Sequence, residues 1–344
     1  MPEQPDVSIV IPTCSRKDIL RRCLAALARQ SHESFEVIVV DDESTDGTPE
    51  MLEAFATDHP DLRFRWYRNQ PRRGANPSRN RGVQASQGAF IAFLDDDCIP
   101  ADDWLERLMT GFVSDRVAAV TGRVDNAPPS NLYELTLKGT SCVHGDVHAT
   151  RLVAGNMCVR RDLLLRYGFD EDRATAQKDA SVSGRGDEEG LYLALRAAGY
   201  EQRVVHDAVV EHHHPHTRRT FFRQAYRGGK SAARLAYKYY LWPRIDLVPL
   251  LLAYAMLPFA LVWPMLWLVP ALSAAFFLAA ILYNDFARKG KTVGEILVTI
   301  PLLLAYYHLR LAGYVVQWLR LWTGRDRMER VRLCSLRSES AARP

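Results

Sequence analysis

Residues 90–100, FIAFLDDDCIP, decide how the rest of the chain is read. An apolar run, Phe90-Ile91-Ala92-Phe93-Leu94, stops at three adjacent carboxylates, Asp95, Asp96 and Asp97. A short apolar run bounded by polar residues reads as a buried strand. Three acids at one point repel one another, and burying them unpaired is costly. A divalent cation held at the strand end removes both difficulties. Hard oxygen ligands suit Mg²⁺ or Mn²⁺, and Mg²⁺ keeps one or two protein carboxylates beside substrate phosphates. The competing reading is a plain Asp-rich turn, because Asp favours turns.

Working outward, apolar runs predict strands over 7–12, 35–40, 62–67 and 117–122. Helical spacing of apolar residues predicts helices over 17–30, 48–55, 75–85 and 104–112, the first opened by Asp18. Strands and helices alternating at this rhythm argue an α/β domain with a mostly parallel central sheet flanked by helices. Ligands of such sheets sit beyond the carboxyl ends of the strands. Asp41-Asp42 and the Asp95–Asp97 run both fall at that edge. Further on, 126–151 has weak periodicity and predicts an irregular connection. Segment 152–159 predicts a strand, 162–168 and 188–198 helices, 171–185 a polar loop, and 204–205 with 209–213 two short strands.

The 344 residues carry a formal net charge of +4, unevenly spread. Between 217 and 244 stand Arg218, Arg219, Arg223, Arg227, Lys230, Arg234, Lys238 and Arg244, with no acid. This block directly precedes the most apolar part of the chain. A basic segment there points to anionic headgroups at a membrane surface and not to nucleic acid. From 247 to 283 no formal charge occurs. One span needs about 20 apolar residues, so this run predicts a two-span hairpin with its turn near Pro264 or Pro270. Both flanks are basic, which places them on the cytoplasmic side. Segment 293–319 is apolar but carries Glu295, His308 and Arg310, and reads as an interfacial helix or a third span. The expected organisation is a catalytic domain over 1–215, a basic amphipathic juxtamembrane segment over 216–246, a membrane region over 247–322 and a basic tail over 323–344.

The six cysteines, Cys14, Cys23, Cys98, Cys142, Cys158 and Cys334, include no CxxC pair, so zinc-ribbon and thioredoxin-like readings fall away. Scattered cysteines and a start without a basic, apolar leader fit a reducing compartment. The expectation is a plasma (inner) membrane location with the catalytic domain facing the cytoplasm. No GxGxxG follows a strand, which argues against a dinucleotide oxidoreductase.

The assembled motifs are SIVIPT at 8–13, VVDDESTDGT at 39–48, GANPSRNRG at 74–82, FLDDDCIP at 93–100, GNM at 155–157, GDE at 186–188, LRAAGY at 195–200 and HHHP at 212–215. In this order they resemble a membrane-associated bacterial family-2 glycosyltransferase with the GT-A fold. The resemblance covers roughly 7–234. It implies a nucleotide-diphosphate-sugar donor, UDP favoured, and Mn²⁺ or Mg²⁺ as cofactor. Thr13 and Asp42 would meet the nucleotide, Asp42 by accepting a base N–H. Arg79 would meet the diphosphate, with Arg72, Arg73 and Arg81 as rivals. Asp95–Asp97 resembles the family's DxD motif. Asp97 would touch the metal, and Asp95 or Asp96 would hold the ribose or a metal-bound water. Asp95 and His212 complete the implied metal set, with His214 as alternative to His212. Asn156 and Met157 would line the sugar pocket.

Asp187 and Glu188 match the family's acidic pair at a helix start, with the two acid types in swapped order. Glu188 stands at the general-base position, with Asp187 and Glu189 as rivals. A carboxylate base opposite a held leaving group implies one in-line displacement and inversion at the anomeric carbon. Acids at a helix start also simply favour its dipole. The processive members carry Gln-x-x-Arg-Trp before their membrane helices. Here residues 224–228 read QAYRG, without the Trp, so transfer of one or a few sugars is expected, to a lipid-linked or cell-envelope glycan acceptor. A polyprenyl-phosphate acceptor is the alternative. A sugar-1-phosphate nucleotidyltransferase is disfavoured because Thr13-Cys14-Ser15-Arg16 holds no glycine.

Overall fold

The computed structural model describes residues 4–138, 151–171, 188–213, 217–239, 247–263 and 267–326. Among these the chain forms two compact units. One holds 4–127 and the described residues from 151 to 213; the other holds 128–138 and those from 217 to 326.

The first unit is built on β1 (Val7–Thr13), α1 (Lys17–Leu27), β2 (Phe35–Asp41), α2 (Thr48–Asp58), β3 (Phe64–Arg68), α3 (Ala75–Ala85) and β4 (Phe90–Phe93). There follow β5 (Cys98–Pro100), α4 (Trp104–Met109) and β6 (Val117–Asn126), then β7 (Met157–Arg160), α6 (Arg161–Tyr167), α7 (Glu189–Ala197) and β8 (Glu201–His212). The helix α5 (Leu132–Leu137) belongs to the second unit. One sheet runs β3-β2-β1-β4-β7-β6-β8-β5. The strands β3, β2, β1 and β4 pair in parallel, β6 and β8 also in parallel, and β7 and β5 join antiparallel. The sheet is therefore mixed, with its parallel half where the sequence pattern is clearest.

Alternation along each strand feeds two cores. Val7, Ile9 and Ile11 of β1 pack with Leu20, Leu24, Leu52 and Trp104 on one face. Val10, Ile38 and Val40 pack with Val83, Leu163 and Leu191 on the other. Both faces are covered by helices, which is why the parallel strands read as continuous apolar runs.

The order 3-2-1-4 puts a crossover reversal between β1 and β4, and such a reversal opens a crevice at the carboxyl ends of the two strands. Residues 94–97 leave the sheet at that crevice. Cys98 N–H donates to Asp95 O at 3.0 Å, closing a tight turn. The turn feeds β5, which was not expected from the sequence: Cys98 sits opposite His212 across the β5–β8 ladder. From Phe93 to Cys98 a fully extended chain reaches about 17 Å, whereas four strand spacings in a flat sheet need about 19 Å. With a turn inside those residues the sheet must curl, and curling brings the end of β8 back to the acids.

Other elements differ from the pattern-based expectation. The expected short strands at 204–205 and 209–213 are one strand, β8, and the irregular connection after Asn126 contains α5. The β7 strand is shorter than expected because Leu152 and Ala154 are buried without joining the ladder.

In the second unit α8 (Arg218–Lys238) starts with a capping box, Thr217 with Thr220. The apolar stretch gives α9 (Val248–Val262) and α10 (Leu268–Tyr283), and α11 (Val293–Trp322) starts with a second capping box, Thr292 with Glu295. Buried Ile296, Thr299, Leu303, Tyr306, Arg310, Gly313 and Gln317 step along α11 by threes and fours. That 3.5-residue period is the seam of a supercoiled helix pair. The partner is α8, running in the same direction: Phe221 meets Tyr306, and Tyr237 meets Trp318. Lys291, fully buried, donates to Asp285 at 2.8 Å and to the Thr136 carbonyl at 2.9 Å, tying α5 to the start of α11.

Two segments, Leu268–Ala287 and Val293–Trp322, are long and apolar enough to cross a membrane. The 15-residue α9 is not: at 1.5 Å per residue it covers about 22 Å of an apolar layer about 30 Å thick. Among the described residues, the two-span hairpin expected over 247–283 thus has one arm of spanning length.

Candidate active site

The turn from β1 into α1 is the site's first wall. Ser15 takes a left-handed backbone conformation, φ 52°, and so does Glu43 after β2, φ 64°. Such residues cost about 1 kcal/mol each and persist where surroundings hold them. Here the two turns lock together: Ser15 N–H donates to Ser44 Oγ at 2.7 Å, and Thr45 N–H donates to Ser15 Oγ at 3.2 Å. The result is that Arg16, at the head of α1, reaches across the crevice to the acids.

Pro12, Thr13, Arg16, Asp42, Ser78, Arg79, Asp95, Asp96 and Asp97 line one cleft of about 480 Å³, counting the space open to solvent. Six residues picked out from the sequence, Thr13, Asp42, Arg79, Asp95, Asp96 and Asp97, are thus brought together. Each acid has its own partner. Asp95 Oδ1 accepts from Arg79 Nη2 at 2.8 Å, and Arg79, 1% exposed, is held by Asn76 and lies over the Phe169 ring. Asp96 Oδ2 accepts from Thr13 Oγ1 at 2.7 Å. Arg16 Nη1 bridges Asp96 Oδ1, at 2.9 Å, and Asp97 Oδ2, at 2.6 Å. Asp97 Oδ1 lies 3.2 Å from His212 Nε2.

The electrostatics follow from burial. Asp96 is pushed up to about 6 by burial, against the pull of Arg16, with the Asp97 charge pushing the same way as burial. His212 is raised despite burial, because Asp97 faces it and hydrogen-bonds it.

Ligand atoms of Asp97, Cys98 and His212 lie within 4.8 Å of one another. A carboxylate and an imidazole in that space suit Mn²⁺, and a carboxylate suits Mg²⁺. The residues present therefore fit a divalent cation at Asp97 and His212. Pattern reading missed Arg16 and Cys98. Arg16 carried one legible signal, a cation one turn past the carboxyl end of β1. Cys98 carried none, because its place beside His212 depends on the β5–β8 pairing.

Asp42 is 2% exposed and already busy. Its Oδ1 accepts from Asn69 Nδ2 and Arg73 N–H, both at 2.9 Å, and its Oδ2 from Gly74 N–H at 2.7 Å. A carboxylate offers about four lone-pair directions, so one is left for a ligand. Its main work in this structure is to fold residues 69–74 into the start of α3.

Asn156 and Met157 were expected in a sugar pocket, and the structure places them elsewhere. Asn156 is fully buried, accepts from Trp104 Nε1 at 2.8 Å, and donates to the Arg123 and Ala208 carbonyls at 2.9 and 3.0 Å. Those bonds bind α4, β6 and β8 together. Met157, also fully buried, belongs to a core cluster with Phe93 and Leu164. Glu188 stands at the start of α7, partly buried, and does not line the cleft described above. Asp187 and His214 lie outside the described residues.

Residues 8–150 match the model of Glycosyl transferase family 2. The glycosyltransferase AglE of Haloferax volcanii is 36% identical over 128 residues, 37% of this chain. The chain spans only 41% of that relative's length. The putative teichuronic acid biosynthesis glycosyltransferase TuaG of Bacillus subtilis is 31% identical over 190 residues, 48% of this chain and 74% of that protein. In fold the chain is similar to the mannosyltransferase PcManGT from Pyrobaculum calidifontis, solved in complex with GDP-Man and Mn²⁺. The TM-score is 0.59 at 22% identity, over 91% of this chain and 88% of that one. That likeness is one of architecture, a curled mixed sheet of the GT-A kind with flanking helices. The motif order, the acid-lined crevice and the relative matched over most of its length agree, and the chain belongs to glycosyltransferase family 2.

Proposed function

We propose that this glycosyltransferase moves a sugar from a nucleotide-diphosphate donor, UDP favoured, to a lipid-linked or cell-envelope glycan acceptor, with inversion and without processive elongation. The observation that carries the reading is the cleft between β1 and β4, where four carboxylates and two guanidinium groups face one open space. Arg79 and Arg16 supply the bidentate donors that suit phosphate oxygens. The pair Asp97 and His212, with Asp95 beside them, would hold Mn²⁺ or Mg²⁺. A divalent cation there supplies charge that offsets what grows on the departing nucleoside diphosphate. Thr13 and Asp42 border the space a nucleoside would take. Glu188, or a neighbouring acid, would take the proton from the acceptor hydroxyl as that oxygen attacks the anomeric carbon. The likeness to TuaG, a putative teichuronic acid biosynthesis glycosyltransferase, supports the acceptor class, and residues 224–228, lacking the processive motif, support limited transfer.

The same proposal places the enzyme at the cytoplasmic face of the plasma membrane. The arms α9 and α10 expose Leu252, Phe259, Trp263, Leu272 and Phe276, side chains that water disfavours. The α11 helix has spanning length, but α8 lies along it and carries seven Lys or Arg and no acid. A span through α11 would draw those cations into the apolar layer, at several kcal/mol for each left unneutralised. The α8–α11 pair therefore lies along the headgroups, where each cation contributes about 1 kcal/mol with anionic lipid. No nucleic-acid role is needed for the basic block.

The experiment is a thermal-shift and hydrolysis screen of UDP- and GDP-sugars with the full chain, with and without Mn²⁺. Metal-dependent stabilisation and slow hydrolysis by one donor class is the expected result. No metal-dependent nucleotide binding would overturn the proposal.

A further inference from the structure

Arg16 makes an unusual pair of contacts. A guanidinium normally turns its fork of two nitrogens toward one carboxylate. Here a single nitrogen, Nη1, serves two carboxylates, at 2.9 Å from Asp96 and 2.6 Å from Asp97. Nη1 therefore stands where a point cation bridging those two acids would stand. The Asp97 oxygen it holds, Oδ2, is the one turned away from His212, whose Nε2 faces Oδ1. The other cation of the cleft is fixed differently. Arg79 is pinned by Asn76 and the Phe169 ring and pairs with Asp95. The Arg16 side chain is 23% exposed, and among the described residues its hydrogen bonds go to these two acids. It can swing away without breaking another hydrogen bond among those residues.

We propose that Arg16 is a built-in placeholder cation: it neutralises Asp96 and Asp97 until a divalent ion arrives at Asp97, and its charge opposes that ion's binding. The inference rests on the reading of Asp97 as a metal ligand. A divalent ion held through Oδ1 and a guanidinium held through Oδ2 of the same carboxylate stand close enough to repel strongly, so ion and guanidinium compete for Asp97. Released into the cleft, the guanidinium faces the space assigned to the diphosphate, a partner its fork fits in the two-nitrogen mode. Arg16 is in this sense a positioning residue. It keeps three adjacent acids folded without metal, and it makes the ion compete with a bound charge.

The test is Mn²⁺ binding to the full chain without nucleotide, by electron paramagnetic resonance of the free ion, in wild type, Arg16→Gln and Arg16→Lys. Removing a competing charge at contact distance predicts about tenfold or more tighter Mn²⁺ binding for Arg16→Gln. Arg16→Lys keeps a cation and should bind close to wild type. Without metal, Arg16→Gln should melt below wild type, and Mn²⁺ should raise its melting temperature by more than it raises wild type's. Equal or weaker Mn²⁺ binding by folded Arg16→Gln overturns the placeholder role while leaving the metal reading intact. Should Arg16→Gln not fold, the pair Arg16→Gln with Asp96→Asn is compared with Asp96→Asn alone: tighter Mn²⁺ binding by the pair is expected, and equal or weaker binding overturns the placeholder role. Mn²⁺ binding by none of the variants overturns the metal reading itself, and this inference with it.

Discussion

Thr13 Oγ1 donates to Asp96 Oδ2 at 2.7 Å, joining the carboxyl end of β1 to the turn that follows β4. Both residues are almost fully buried, at 3% and 5% exposure. From sequence, Thr13 was expected to contact nucleotide and Asp96 had no settled role. The structure gives them one task together: they fix the two lips of the cleft at a set separation. Replacing Thr13 by Val keeps the shape and leaves a buried carboxylate oxygen short of a donor, which costs about 1–3 kcal/mol. Thr13→Val is expected to lose that much in urea unfolding, and Thr13→Ser to retain most of it. Equal losses in both would assign the effect to packing of the methyl group.

Asp46 performs a similar service between the starts of α1 and α2. Its carboxylate accepts from Lys17 N–H at 2.8 Å and from Thr48 N–H at 3.2 Å, so one side chain ties the starts of α1 and α2. Burial pushes its carboxyl up, but the bonds from Lys17 and Thr48 outweigh burial and hold it below the usual 3.8. A carboxyl depressed in the folded state stabilises above its unfolded value and loses that contribution as pH falls through its folded value. Asp46→Ala should therefore cost about 0.5–2 kcal/mol near neutral pH, the range for losing a helix cap. The gap between wild type and variant should close as the pH is taken below about 3.8 toward 3. A gap that stays constant with pH would mean the carboxylate's charge plays no part.

The contrast between Asp42 and Arg16 shows how far sequence reading reaches. The parallel half of the sheet was legible because β1, β2 and β4 are apolar on both faces, and two-sided burial writes itself as an uninterrupted run. Its carboxyl edge followed, and with it Thr13, Asp42 and the three acids. Partners were not legible. Asp42 is bound by backbone N–H groups of residues 73 and 74, which no composition rule points to. Arg16 acts through a turn whose strained Ser15 has no sequence signal, since serine usually avoids that conformation. The mistaken placement of Asn156 has the same origin. A buried amide satisfied by two carbonyls and an indole N–H looks, one residue at a time, like an amide waiting for a sugar. The β5 strand was hidden because its partner, β8, lies about a hundred residues away in sequence.

Glu188 is the residue on which the proposed chemistry turns. It opens α7, and its carbonyl accepts the helix's Tyr192 N–H at 2.9 Å, so its backbone position is fixed by the helix itself. Replacing it by Gln keeps the size of the side chain and removes its charge and its capacity to take a proton. A lost general base costs about 10²–10⁴ in rate. Glu188→Gln is expected to lose at least that factor in sugar transfer, with nucleotide affinity and melting temperature unchanged. Wild-type turnover would shift the role to Glu189 or to Asp187, and would favour an acceptor phosphate that needs no deprotonation.

Two adjacent glycines in α8 give opposite expectations, and the difference reports directly on its crossing with α11. A Cβ on Gly229 would collide with the Arg310 carbonyl oxygen, and a Cβ on Gly313 of α11 with the Tyr226 carbonyl oxygen. Both obstacles are backbone, so no side-chain rotation relieves them and the helices must part. A Cβ on Gly228 meets nothing within 4 Å. Alanine is favoured over glycine in a helix interior by about 1 kcal/mol. Gly228→Ala should therefore stabilise the protein by up to about that amount. Gly229→Ala gains the same propensity yet should destabilise by about 1–3 kcal/mol, because overpacking at a backbone contact outweighs it. Thermal melts in detergent, followed by far-UV circular dichroism, separate the two. If Gly229→Ala stabilises as Gly228→Ala does, α8 does not pack on α11 at this point, and the argument that keeps α11 at the headgroups loses its basis.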